Sequence, residues 1–181
     1  MKLKLVAILF ICCVLVNAQT AKNFTKNNLS FDYPSDWQLV DDTNEDAQQF
    51  TLTKTNSDVQ IRGFIHKGRT SPEKLAEARK AFIDPYIAAT AKQFVQMGAK
   101  PEQSPDTTDI GGVKAEGVNI SASLGGEKGA AKIYWAFVGQ RVVVLTLFGP
   151  DEQTKKLAPA WDLVRTSLKI HDPSAAPKPS P

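Results

Sequence analysis

The stretch AAKIYWAFVGQRVVVLTLF, residues 130–148, decides the fold of this 181-residue chain. It consists of two apolar runs joined by Gly139-Gln140, a pair suited to a two-residue hairpin turn. Side chains along a strand alternate between two faces, and here both alternating sets are apolar. The stretch therefore predicts a central hairpin in a sheet that is covered on both faces, with Trp135 and Leu145 on opposite faces. The same turn places Trp135 opposite Val144.

The first 18 residues have the features of a secretory signal peptide. Lys2 and Lys4 precede the apolar run LVAILFICCVLV, and Val16-Asn17-Ala18 offers small residues for cleavage before Gln19. A retained signal anchor is the alternative, but the apolar run is short for a membrane span. We therefore expect a secreted or periplasmic protein that is cleaved near Ala18-Gln19 and has no transmembrane segment in the mature chain.

Cleavage changes the chemistry that is open to the mature chain. It removes Cys12 and Cys13, the two cysteines of the sequence, and with them any disulfide, thiol nucleophile or cysteine metal ligand. It also removes Lys2 and Lys4, which lowers the formal net charge from +3 to +1. A near-neutral chain lacks the basic excess typical of nucleic-acid-binding proteins. The sequence therefore predicts no nucleic-acid partner.

Alternating apolar residues predict several strands before the first helix. Asn27-Asn28 fits a hairpin turn because asparagine tolerates left-handed backbone. Trp37 follows the turn at 34–36 and is predicted to fill the core beneath the sheet edge. The acidic run at 41–46 lacks the glycine and closing glutamate of an EF-hand loop and is interpreted as solvated. The alternating residues are Leu29, Phe31 and Tyr33 in one strand, Phe50 and Leu52 in the next, and Val59, Ile61, Gly63 and Ile65 in the one after that.

A long helix is predicted to begin at Thr70-Ser-Pro-Glu73, which has the pattern of a capping box with proline in the first turn. Pro85 falls in its middle, so either the helix kinks there or Asp84 caps a second segment that Pro85 opens. Gly98 is the predicted C-terminal stop. The predicted apolar stripe is Leu75, Ala78, Phe82, Tyr86, Ala89 and Met97, with Phe94 and Val95 beside it.

The second half is predicted to return to strands. Residues 100–109 are polar and contain proline, which is typical of a loop leading into an edge strand. Gly111-Gly112 is a predicted turn, and the apolar alternation changes phase at Gly117, which predicts a β-bulge. Gly149-Pro150 is expected to end the sheet. A last helix, with a break allowed at Pro159, is predicted to bury Leu157, Trp161, Val164 and Leu168.

These elements indicate the α+β class, with a mostly antiparallel sheet and a helix layer on each face. The predicted organisation is a signal peptide at 1–18, a single domain at 19–171, and a disordered tail rich in Pro, Ala and Ser at 172–181.

Four motifs resemble the PsbP-like family over residues 24–170. They are LSFDYPSDWQLV, then, after the long helix, DIGGVKAEGV, IYWAFVGQRVVVLTLFGP and the closing WDLVRTSLKI. The resemblance implies an α-β-α sandwich used mainly as a non-enzymatic accessory or binding module. The motifs are structural, so they imply fold rather than activity. The family's photosynthetic and Ran-binding roles do not carry over, because the sequence shows no photosynthetic context and the signal peptide takes the chain away from the nucleus.

Residues with catalytic chemistry are few. His171 borders the predicted tail and is a poor catalytic candidate, whereas His66, Lys67 and Arg69 form a small cationic patch. We treat these three as weak candidates for binding a ligand or anion; a solvated loop is the simpler interpretation. The glycine-rich segment 125–129 lacks the ending of a P-loop, and no nucleophile-elbow or His-Glu-x-x-His motif occurs. The sequence therefore predicts no catalytic residue, cofactor or metal.

The expected function is that of an exported, non-enzymatic accessory or binding module acting through a protein partner. The alternative is a small-ligand carrier or an enzyme with a site at the sheet edge near His66. Asn23, Asn28 and Asn119 begin glycosylation sequons, which matter only in a eukaryotic source.

Overall fold

The structure, a computed structural model, describes residues 20–171. The predicted signal peptide at 1–18 and the predicted tail at 172–181 lie outside the described residues. The strands of the described part are β1 (Ala21–Lys26), β2 (Leu29–Pro34), β3 (Trp37–Asp41), β4 (Ala47–Lys54), β5 (Gln60–His66), β6 (Glu102–Ile110), β7 (Val113–Leu124), β8 (Glu127–Val138), β9 (Arg141–Pro150) and β10 (Lys169–Ile170).

The strands form two antiparallel sheets. The larger has the order β3-β4-β5-β9-β8-β7-β6, and the smaller has the order β1-β2-β10. The prediction of a mostly antiparallel sheet is confirmed. The separate small sheet is a feature that the alternation pattern alone does not predict, because strand pairing between chain ends leaves no local signal.

The central hairpin lies inside the large sheet, between β5 and β7. Gly139 and Gln140 both have positive φ, at 52° and 62°, as the predicted two-residue turn requires. Trp135 pairs with Val144 as predicted. Trp135 and Leu145 are buried in two different clusters, so the prediction that both faces of the hairpin are buried is confirmed.

Different helices and strands pack over the two hydrophobic core clusters. The one that contains Leu145 includes Phe31 of β2 and Trp161 of the C-terminal helix, whereas the one that contains Trp135 includes Ile83 and Phe94 of the long helix. Trp37 is buried in the first cluster, as predicted. Because β2 shares the covering of this cluster, a helix layer over each face stays a prediction.

The long helix is interrupted by a π turn. A 3₁₀ turn (Pro72–Lys74) leads into α1 (Leu75–Ala78), the π turn (Arg79–Ile83) and α2 (Asp84–Gln96). The Asp84 N–H donates to the Arg79 carbonyl, five residues back. Pro85 opens α2, as one of the two alternatives predicted, but the capping position is Ile83 rather than Asp84.

The π turn explains why the predicted apolar stripe is only partly buried: Ala78 is buried and Tyr86 packs against the core, but the residues between and after them are not all buried. The wider turn shifts the register by one residue, so Ile83 is buried while Phe82 is 42% exposed. Met97 is exposed as well. The predicted capping box at 70–73 lies at the start of the 3₁₀ turn, and α1 itself begins at Leu75 without a side-chain cap. Gly98 ends the helix with φ of 86°, as predicted.

Two predictions for the second half are wrong. Residues 102–110 form strand β6 rather than a loop, because Pro105 lies on a sheet edge, where the missing N–H costs little. No bulge occurs at Gly117, since β7 pairs without interruption on both sides. The alternation changes phase because Ala115 faces the cluster that contains Leu145, whereas Ile120 faces the cluster that contains Trp135.

The chain closes on α3 (Asp151–Lys156) and α4 (Ala158–Ser167). The two helices are separated at Leu157, two residues before Pro159, which the sequence predicts to allow a break in the helix. Trp161, Val164 and Leu168 are buried, as predicted for the last helix.

Candidate functional site

A groove of about 450 Å³ lies between the long helix and the part of the large sheet that this helix leaves open. We call it the aromatic groove. Strands β4, β5 and β9 form its floor, and the π turn with the start of α2 forms its wall. The floor residues are Gln49, Thr51, Arg62, Phe64, Val144 and Thr146, and the wall residues are Ala81, Phe82 and Tyr86.

Strand register arranges the floor in two rows. Thr51, Arg62 and Thr146 pair across the three strands and form a polar row. Gln49, Phe64 and Val144 form the adjacent row, which is apolar on β5 and β9. The Phe82 ring lies 6.5 Å from that of Phe64, between centroids. The groove therefore presents polar and apolar chemistry side by side.

The hydroxyl groups of Tyr86 and Thr146 connect the polar row to the helix. Tyr86 Oη and Thr146 Oγ1 lie 3.1 Å apart, and Thr146 is only 3% exposed. One hydroxyl hydrogen lies between the two oxygens, so the other remains available as a donor. A polar pair of this kind in a groove can orient a ligand.

Arg62 places a positive charge in the same row. Its Nε and Nη2 donate to Gln60 Oε1 at 3.0 and 2.6 Å, and no ion pair involves Arg62 within the described part of the chain. Asp42 lies at the lip of the groove, with its N–H donating to the Gln49 carbonyl at 3.0 Å. The groove therefore has a cation on its floor and a carboxylate at one end.

Of the three residues of the predicted patch, His66, Lys67 and Arg69, His66 lies beside this groove. The His66 ring is 5.1 Å from that of Phe82, and His66 Nδ1 accepts the Gly68 N–H at 3.1 Å. The Lys67 side chain instead contacts the acidic run at 41–46, where its Nζ donates to the Asn44 carbonyl oxygen. His66 and Lys67 thus contact different groups, and a ligand-binding role for the patch stays a prediction.

Other chemistry is limited in the residues that the structure describes. Over 20–171, no three His, Cys, Asp or Glu side chains group closely enough to hold a metal ion. No helix in the same range is long and apolar enough to cross a membrane.

Sequence reasoning missed the main residues of the groove. The helical period predicts Phe82 on the apolar stripe, and no motif in the sequence marks Arg62 or Thr146 as a site residue. Arg62 and Thr146 each alternate with core residues, so period-2 geometry places both on the opposite face. The signal for Phe82 was Pro85, because a proline inside a helical pattern marks a place where the register can change.

The fold has known counterparts. Cyanobacterial PsbP from Synechocystis sp. PCC 6803 superposes with a TM-score of 0.55 at 14% sequence identity, covering 88% of this chain and 97% of that one. The chain has a PsbP-like fold. A crystal structure from Bacteroides thetaiotaomicron also superposes with a TM-score of 0.55, at 15% identity over 84% of this chain. The chain spans 49% of that Bacteroides protein.

At sequence identities this low, the similarity to cyanobacterial PsbP is a similarity of fold alone. No protein-family model matches the sequence, and no curated protein sequence matches it. The resemblance inferred from the sequence motifs is therefore confirmed as a resemblance of fold.

Proposed function

We propose that the chain is an exported, non-enzymatic accessory or binding module that acts through a protein partner. The observation that carries the proposal is a pair of apolar side chains in solvent beside the aromatic groove. Phe82 is 42% exposed and Val40 is 50% exposed. Val40 pairs with Thr51 and so lies on the same face of the sheet as the polar row. We take exposed apolar side chains at and near a groove as the mark of a surface that another molecule covers.

The proposal includes an organisation for the whole chain. Residues 1–18 direct export and are removed near Ala18-Gln19, residues 19–171 form one domain, and residues 172–181 form a tail. It also includes a helix layer on each face of the sheet. Trp161 in one core cluster and Phe94 in the other support this layering.

The alternative is a small-ligand carrier or an enzyme with its site near His66. The contact between His66 and Phe82 favours this alternative, because it connects the imidazole to the wall of the aromatic groove. In an enzyme, His66 would be the acid-base group.

Affinity capture and an activity screen separate the two. We expect the full chain to recover a defined protein from envelope extract of its source, and to show no turnover on broad panels of hydrolase substrates. A reproducible turnover that His66→Ala abolishes, with folding intact, would show that the enzyme alternative is right.

A further inference from the structure

The polar row and the apolar row of the aromatic groove lie at a fixed distance from each other. Side chains on one face of a strand are two residues apart, so the rows lie about 6–7 Å from each other. Arg62 marks the polar row on β5, and Phe64 marks the apolar row on the same strand. This spacing matches a molecule with a charged end and an apolar end separated by two or three bonds.

The polar row is suited to a carboxylate. Gln60 orients the Arg62 guanidinium but cannot neutralise it, because an amide carries no charge. A planar guanidinium with free N–H groups binds carboxylates through paired hydrogen bonds. Thr51 on one side, and the spare hydroxyl hydrogen of the Tyr86–Thr146 pair on the other, add donors at the same level.

The apolar row is suited to an aromatic or compact apolar group. Phe64 and Phe82 approach to 6.5 Å between ring centroids, and Val144 continues the surface on β9. The volume of about 450 Å³ lies in the range of small-molecule sites, which is about 300–1,000 Å³.

We propose that the aromatic groove binds a small arylalkyl carboxylate, with the carboxylate on Arg62 and the aryl group against Phe64 and Phe82. Asp42 lies at the lip beside Gln49, in the apolar row, so an anion at that end is repelled. The ligand therefore has one orientation. This ligand would occupy the groove that the proposed function assigns to a protein partner, but the titration below and the capture of a partner are separate measurements, so either proposal can fail without the other.

The test compares an acid with its neutral counterpart on the full-length protein. The probes are 3-phenylpropionate and 3-phenylpropan-1-ol, titrated by nuclear magnetic resonance. We expect the acid to bind about tenfold or more tightly than the alcohol, because the alcohol cannot pair with Arg62. The largest shifts are expected at Arg62, Thr146 and Val144.

Variants separate the two ends of the ligand. Arg62→Gln should remove the preference for the acid and leave the alcohol unchanged, and Lys114→Gln, an exposed cation on distant strand β7, should change neither. Phe82→Ala should weaken both probes by a similar factor. Asp42→Asn should strengthen the acid and leave the alcohol unchanged.

Three results would overturn the proposal. They are absence of binding by the acid at millimolar concentration, equal binding of acid and alcohol, and an acid affinity that Arg62→Gln does not change. If the blocked dipeptide N-acetyl-Phe-Glu-amide binds at the groove and the free acid does not, the groove recognises a peptide and the small-molecule proposal is wrong.

Discussion

Gly117 of β7 makes room for the ring of Tyr134 on β8. A Cβ on Gly117 would lie 2.3 Å from Tyr134 Cδ1 and 2.8 Å from the Ile133 carbonyl oxygen. The ring crosses β7 at this point, and Tyr134 Oη donates to Asp106 Oδ2 on β6 at 2.7 Å. The edge strand β6 is thereby connected to the central hairpin by a side chain as well as by the backbone.

Gly117→Ala should destabilise the domain, because neither the tyrosine ring nor a strand carbonyl can move away without disturbing the sheet. We expect a loss of about 1–3 kcal/mol in the free energy of unfolding, measured in urea. Ser123→Ala, an exposed change on the same strand, should cost under about 0.5 kcal/mol. Equal effects of the two changes would show that Tyr134 does not occupy this position.

Tyr134 should make stability fall with alkaline pH. Burial, reinforced by the hydrogen bond to Asp106, raises the pKa of Tyr134 well above its usual value. A group whose pKa is raised in the folded state contributes stability that is present below its unfolded pKa, about 10, and is lost as pH rises above it.

The measurement is urea unfolding between neutral pH and pH 11. Tyr134→Phe should cost about 1–2 kcal/mol at neutral pH, because Asp106 loses a donor. Above pH 10 the variant should lose stability less steeply than the wild type. Parallel pH profiles would contradict a buried Tyr134 hydroxyl.

Truncation of Trp135 and of Leu145 tests whether both faces of the hairpin are buried in the hydrophobic core. Both side chains are buried, in different clusters, so each truncation to Ala should cost about 2–5 kcal/mol. That is a large part of the ~5–15 kcal/mol that stabilises a domain. Lys128→Ala is the exposed control. If only one truncation is costly, the sheet is covered on a single face.

Gln48 connects the small sheet to the large one. Its side chain is 1% exposed, its Nε2 donates to the Lys26 carbonyl at 2.8 Å, and its Oε1 accepts from Arg141 Nη1 at 2.8 Å. Gln48→Leu leaves both partners unsatisfied and should cost about 1–3 kcal/mol. Gln38→Leu, on exposed sheet surface, should cost less than about 0.5 kcal/mol. A neutral Gln48→Leu would mean that water replaces the bridge.

The salt bridge between Lys26 and Asp41 lies on the same boundary, with 2.5 Å between Nζ and Oδ2. The hydrogen bond from Lys26 lowers the pKa of Asp41. A lowered carboxyl pKa contributes stability above its unfolded pKa that is lost as pH falls through the folded one. Asp41→Asn should therefore cost up to about 1 kcal/mol at neutral pH and less as pH falls below about 4, in the same unfolding assay. A cost that does not change with pH would show that the charge of Asp41 is not involved.

The strand pattern of the sequence predicted the large sheet well where both faces are apolar. Ala115 and Ile120 show the limit, because a strand that buries different faces at its two ends resembles a bulge in sequence. Pro85 marks a place where the helical register can change, but whether a π turn forms there depends on how the helix packs. A uniform 3.6-residue period therefore placed Phe82 in the core and concealed the aromatic groove. The hydroxyl pair of Tyr86 and Thr146 joins residues 60 positions apart, and only the folded chain brings them together.

Site-directed crosslinking tests the central claim, that the chain binds a protein partner over the aromatic groove, most directly. A photoreactive benzoylphenylalanine at Ala81, on the wall of the groove, is compared with the same group at Ala89, an exposed position farther along the helix. The account predicts that one protein from the source envelope crosslinks at position 81 and not at position 89, and that Phe82→Ser removes it. Identical crosslinking patterns at the two positions, or none at position 81, would contradict it.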